Sequence, residues 1–150
     1  MSYEQLRKGR FSQAGQVYFV AVALHRRHTE IFRDFYSARL LVRQMRQLHE
    51  QQALHSLAWV IMPDHLHWLF QLGAGQTLAQ TMQQLKGRSA RAINRFRKSD
   101  GRLWQTGYFD HALRSEADLP DVARYIVANP LRAGLVSSVR DYPHWDAEWL

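Results

Sequence analysis

The chain has 150 residues, of which 46% are hydrophobic and 22% charged, an ordinary composition for one globular domain that buries its own core. It has no cysteine, which excludes a disulfide framework, a thiolate metal site and a cysteine nucleophile, and no apolar run approaches the about 20 residues of a membrane span. The net charge is +7 and 17 of the 20 basic residues are arginine, whose planar fork grips phosphate bidentately, so nucleic acid leads the candidate partner classes.

The first thirteen residues, MSYEQLRKGRFSQ, hold no apolar core and read as a basic arm rather than a secretory signal. A soluble protein of the cytoplasm is expected. Residues 17–24 are β-branched and aromatic and predict a strand. Over 34–52, Ala38, Leu41, Met45 and Leu48 recur at three and four residues and predict a helix. Residues 55–62 predict a second strand, closed by the turn residues Pro63 and Asp64. Residues 65–71 predict a third strand, antiparallel to the second. Thr77 is placed to cap a helix over 77–98, with Leu78, Met82, Leu85, Ala92 or Ile93, and Phe96 on its buried side. Residues 107–114 predict a fourth strand. A last helix is expected from about Asp118 to Asn129, ended by Pro130. The order is strand, helix, hairpin, helix, strand, helix. It predicts an α+β, ferredoxin-like split β-α-β domain: an antiparallel sheet with helices mainly on one face, plus an extra C-terminal helix.

Three groups of residues carry chemistry. His65 and His67 stand at i and i+2 of a strand, hence on one face and about 7 Å apart at Cα, where both rings can converge on one metal ion. The helix 77–98 carries no acid. Its Arg88, Arg91, Arg95 and Lys98 fall within about 80° of each other on the helical wheel. Four unbalanced charges on one ridge suit a phosphate backbone better than bulk solvent, where charged faces usually mix signs. Arg7, Lys8 and Arg10 of the N-terminal arm are further candidates for DNA contact. On the last helix, Leu119, Val122, Ala123, Ile126 and Val127 form a buried stripe, with Tyr125 at its border and Asn129 one turn later. Taken singly, Tyr125 reads as an amphipathic core-edge residue and Asn129 as a helix terminator. Only together do they put a phenol and a carboxamide on one face. His111, on the fourth strand, reads as a satisfied half-buried histidine ahead of a third ligand or a DNA contact.

The segments WVIMPDHLHWLF and DLPDVARYIVANPLRAGLV, with VYFVAVAL, LKGRSARAIN and LWQTGYFDHALR in the same order, resemble the HUH single-tyrosine transposases over about residues 16–136. The likeness is greatest to their branch associated with repetitive extragenic palindromes (REPs). The resemblance implies a nucleophilic Tyr125 and a metal site of His65, His67 and Asn129 that holds magnesium or manganese. It also implies nicking and rejoining of single-stranded DNA at hairpins through a covalent 5′-phosphotyrosine. A monomer in the bacterial nucleoid is the expected working form. Asp64 stands where asparagine is commoner in the family, and Trp68 where an aliphatic residue is. The rival readings are a non-catalytic hairpin-binding protein of the same fold and a metal-dependent phosphodiesterase that uses water.

Overall fold

β-Branched and aromatic residues crowd the first strand, β1 (Val17–Ala23), which alternates half-buried and buried residues along its length. The computed structural model describes residues 14–148, so Arg7, Lys8 and Arg10 lie outside the described residues. Helix α1 (Phe35–Glu50) starts where the Asp34 side chain accepts the Ser37 backbone N–H at 3.0 Å. It buries Ala38, Leu41, Val42, Met45 and Leu48. Strand β2 (Leu54–Met62) and strand β3 (His65–Leu72) form a hairpin whose two turn residues are Pro63 and Asp64. Helix α2 (Leu78–Arg97) opens with a capping box: Gln80 N–H reaches Thr77 Oγ1 and Thr77 N–H reaches Gln80 Oε1. Strand β4 (Phe109–Ala112), helix α3 (Leu119–Val127), a single further turn α4 (Asn129–Arg132) and a short strand β5 (Trp145–Ala147) complete the order.

The sheet runs β4-β1-β3-β2-β5 with every pair antiparallel. Its first four strands have the ferredoxin-like split β-α-β arrangement expected from the sequence, and β5 adds a fifth strand on the β2 edge. The tail holding β5 gave no strand signal of its own. It is fastened by Tyr142, whose hydroxyl donates to Ile61 O at 2.6 Å, and by pairing of Ala58 with Ala147 and Val60 with Trp145. That pairing removes a free edge from a strand buried on both faces.

The two faces of the sheet carry different cores. Val20, Val22, Leu66, Trp68 and Phe70 point to one face, where α1 and α2 cover them. Ala58, Val60, Met62 and Leu69 point to the other, where Leu119, Ala123, Ile126 and Val127 of α3 cover them. Helix α3 packs over β2, β5 and β3 on that face. Phe109 and His111 on β4 remain exposed beside it. Of the two residues expected to continue the α2 stripe, Ile93 is buried and Ala92 half-buried; the departure from expectation is Phe96. Phe96 is exposed and lies against the Tyr36 ring instead of the core.

Two buried indoles are hydrogen-bonded on the α1–α2 side of the sheet. Trp104 Nε1 donates to Ser89 Oγ at 2.9 Å, and Ser89 Oγ in turn donates to Leu85 O at 2.6 Å. Trp68 Nε1 donates to Ser56 Oγ at 2.9 Å. Ser89→Ala strands the Trp104 N–H in a dry core, and a loss of about 1–3 kcal/mol of stability is expected. A urea titration checks it: the midpoint should fall with an unchanged slope. An unmoved midpoint would mean that the indole finds another acceptor.

Candidate functional site

The tight β2–β3 turn sets the place of both histidines. His65 is the first residue of β3 and pairs with Met62 and with Ala23, while His67 pairs with Val60 and with Ala21. Alternation puts His65, His67 and Leu69 on the α3 face and Leu66, Trp68 and Phe70 in the opposite core. The two imidazole centroids are 4.6 Å apart. The pair lies side by side, as the i, i+2 spacing requires.

Each ring is held by a neighbour. Asp64 Oδ1 lies 2.6 Å from His65 Nδ1. A carboxylate only accepts, so His65 Nδ1 carries a hydrogen, which leaves Nε2 as the ring nitrogen that can take a metal. The Asp64 that departs from the commoner asparagine of the resembled family therefore acts on a ring nitrogen directly. His67 stands edge-on to Phe19 at 5.4 Å between centroids. Its pKa is pushed down to about 4, first by burial and then by the charges of His65 and Arg132. It is thus neutral, with a lone pair to offer, across the whole physiological range.

The third member comes from beyond a break in the last helix. A continuous helix would need an N–H at residue 130 and would press the proline ring on the carbonyl of Ile126. The chain instead leaves the helical path at Ala128 and restarts as the single turn α4 with Pro130 near its beginning. Pro130 was expected to end the helix; it ends α3 and opens a second turn, which Gly134 closes at φ 74°. The restart turns Asn129 to the sheet, where its Nδ2 lies 2.8 Å from His67 Nδ1. Rotation of the carboxamide by half a turn presents Oδ1 to the same point. Two neutral-capable imidazoles and an amide oxygen make a mixed N/O donor set that suits a hard-to-borderline divalent ion with open positions. The residues therefore fit a metal. No cluster of three histidine or acidic side chains with ligand geometry occurs among the described residues.

Tyr125 lies one turn before Asn129 on α3, 59% exposed and outside the buried stripe of Leu119, Ala123, Ile126 and Val127. The Arg132 guanidinium covers its ring, with Cζ 3.8 Å from the centroid. The sequence reading passed over this contact, although a spacing of seven residues, about two helical turns, was a signal for it. His111 is exposed on edge strand β4 opposite Phe19, not half-buried as expected, because α3 packs over β2, β5 and β3 on that face.

The basic ridge is placed elsewhere. Arg91 and Arg95 are exposed on α2, while Arg88 is half-buried and donates to Gln51 Oε1 at 3.4 Å; Lys98, expected on the same ridge, is exposed one residue past the end of α2, where its φ of 55° takes it off the helical path. Arg88, Arg91 and Arg95 line a groove of about 260 Å³ with Gln44 and Gln47 of α1. This groove belongs to the helical layer on the side of the sheet away from the histidines. Lys86, on the same helix, is occupied in holding Gln105 O and Gly107 O at 2.8 Å each.

A relative from Haemophilus influenzae is 27% identical over 144 residues, covering 87% of this chain and 78% of its own length. A REP-associated tyrosine transposase of Escherichia coli K12 is 25% identical over 135 residues, covering 89% of this chain and 78% of its own. The solved structure of a REP-associated tyrosine transposase bound to a REP hairpin superposes with a TM-score of 0.76 at 24% identity, over 91% of this chain and 79% of that one; this likeness shows the fold. No helix among the described residues is long and apolar enough to cross a membrane. The family described as Transposase IS200 like matches residues 13–129, a stretch that takes in both histidines, Tyr125 and Asn129, and the chain belongs to that transposase family.

Proposed function

We propose that the chain cuts and rejoins single-stranded DNA at hairpins of the repetitive extragenic palindrome type, through a covalent 5′-phosphotyrosine at Tyr125. The observation that carries this reading is the meeting of Asn129 with His67 at 2.8 Å, one turn beyond an exposed tyrosine. The substrate class follows the relatives, one named for REP elements and one solved with a REP hairpin bound. His65, His67 and Asn129 would hold magnesium or manganese, which when bound offsets the negative charge that develops on the phosphate oxygens. Asp64 keeps a hydrogen on His65 Nδ1, which leaves Nε2 for the metal, and burial keeps His67 unprotonated. The Tyr125 phenol loses its proton as its oxygen attacks phosphorus. The bond from phosphorus to O3′ breaks, the electron pair leaves with O3′, and that oxygen takes up a proton. The resulting 3′-hydroxyl can attack the phosphotyrosine in reverse, so rejoining and strand transfer use the same groups. Because α3 packs on its own sheet and Asn129 meets the His67 of its own chain, a monomer with Tyr125 acting in cis is the simplest working form.

The test is direct. Hairpin-bearing single-stranded DNA, incubated with the protein and magnesium or manganese, should yield a protein–DNA band that survives denaturation and is lost with chelator. A cleaved strand with no such band would favour attack by water. Binding without cleavage would favour the non-catalytic alternative.

The ridge of Arg88, Arg91, Arg95 and Lys98 is proposed to grip the phosphates of the hairpin stem, and the arm with Arg7, Lys8 and Arg10 to reach the flanking strand. Since the groove and the histidines lie on opposite sides of the sheet, DNA that engages both must pass round a sheet edge. Arg91→Ala is expected to weaken all DNA sequences about equally and to lower the log–log salt slope by roughly 0.7–0.9 per lost phosphate contact. Binding isotherms at several salt concentrations measure this. An unchanged slope would place the ridge in bulk solvent.

A further inference from the structure

The single turn α4 carries two side chains that face the site, and only Asn129 has a role in the donor set. The other, Arg132, lies with its guanidinium carbon 3.8 Å from the centre of the Tyr125 ring. This contact is made to the ring face and uses no hydrogen-bond acceptor. The five N–H donors of Arg132 radiate in the guanidinium plane and stay available to an anion. Arg124, on the preceding helix, spends its charge on Asp121 at 3.1 Å. Among the described residues Arg132 has no carboxylate partner; its recorded contact is the tyrosine ring. A positive charge stacked on the candidate nucleophile, with no carboxylate partner among the described residues, is placed to receive an anion beside the phenol.

We infer that Arg132 is a catalytic residue of strand cleavage: stacked on Tyr125, it binds a non-bridging oxygen of the scissile phosphate with its guanidinium edge and presents phosphorus to the phenol oxygen. This rests on the covalent chemistry proposed for Tyr125. The arginine exchanges no proton or electron pair in the step. The bond from Tyr125 oxygen to phosphorus forms, the bond to O3′ breaks, and the guanidinium stabilises charge that grows on the oxygen it holds. The local sequence supplies the geometry. Pro130 forces the restart at Ala128, and the new turn sends Asn129 toward His67 and Arg132 back over Tyr125.

The experiment follows covalent-adduct formation in single turnover, with the full chain, magnesium and hairpin-bearing single-stranded DNA. One substrate has a natural phosphate at the mapped cleavage position, the other a methylphosphonate, which replaces a charged oxygen by methyl. On the natural phosphate, Arg132→Ala should slow adduct formation about 10²–10³-fold, the usual cost of one lost transition-state donor, with hairpin affinity held within a few-fold. Arg132→Lys should fall between, since it keeps the charge and loses the fork. On the methylphosphonate, the gap between wild type and Arg132→Ala should shrink to less than about tenfold, because the group that the arginine recognises is gone. An alanine variant as fast as wild type on the natural phosphate overturns the inference. So does an equal deficit on both substrates, which would reduce Arg132 to a support for the tyrosine ring. Failure of wild type to form any adduct overturns instead the reading of Tyr125 on which the inference rests. Both side chains are exposed, so thermal melting of the variants should match wild type.

Discussion

Tyr125→Phe is expected to abolish the covalent DNA adduct, by at least about 10³-fold, while hairpin affinity stays within a few-fold of wild type. The substitution removes one oxygen. It leaves the ring, and therefore the contact with Arg132 and the shape of α3, in place. Tyr125 is 59% exposed and contributes little to the core under α3, so the folded state should barely change. Phenylalanine has no group that can attack phosphorus, and no other tyrosine lies on α3 or α4 to replace it. Denaturing electrophoresis of labelled hairpin DNA, with a parallel binding isotherm, separates the chemical from the binding effect. Cleavage retained by the variant would overturn the nucleophile assignment and put a water molecule in its place.

The second large effect is expected at the histidines. His67→Ala should remove cleavage by more than about 10²-fold and weaken magnesium or manganese binding, because an open site of two imidazoles and one amide cannot spare a nitrogen. Folding is not wholly untouched. His67 packs its edge on Phe19 and meets Asn129, so truncation should cost about 1 kcal/mol from lost contacts. His65→Ala should match the loss of activity with a smaller effect on stability, since its one recorded hydrogen bond is to the exposed carboxylate of Asp64. Asn129→Ala should be milder, because water can replace a weak amide ligand. Calorimetric titration of the metal into each variant, beside thermal melts, distinguishes a ligand from a packing residue. Equal metal affinity in wild type and all three variants would refute the site.

Short-range chemistry was legible in the chain. Thr77 caps α2 because its side chain reaches an N–H three residues on. Pro63 and Asp64 turn the β2–β3 hairpin, and that turn determines which face His65 and His67 share. The periodicities of 2 and 3.6 were enough for a split β-α-β sheet, since each amphipathic element has only one way to hide its apolar side. They failed where one residue stands at an element's end. Phe96 was expected in the core from its spacing, but near the end of α2 the ring is exposed and rests on Tyr36.

What lay beyond the sequence depends on contacts between residues far apart in the chain. Strand β5 has three residues and forms only because β2 offers an unpaired edge and Tyr142 reaches Ile61. His111 was expected to be half-buried; its exposure depends on how much of the sheet α3 covers, a property of packing and not of strand alternation. The ridge of Arg88, Arg91, Arg95 and Lys98 could be read as one face of a helix. That this face lies across the sheet from the histidines could not, because periodicity fixes side chains relative to their own helix axis and is silent on the layer that the helix joins. The residue types of the candidate site, and the spacing within each half of it, were determined by the sequence alone. The 2.8 Å approach of Asn129 to His67, across 62 residues of chain, and the stacking of Arg132 on Tyr125 were decided by the tertiary structure. The physical reason is the same for both: Pro130 breaks the helix for local reasons, but where the new turn points is set by what α3 buries against the sheet.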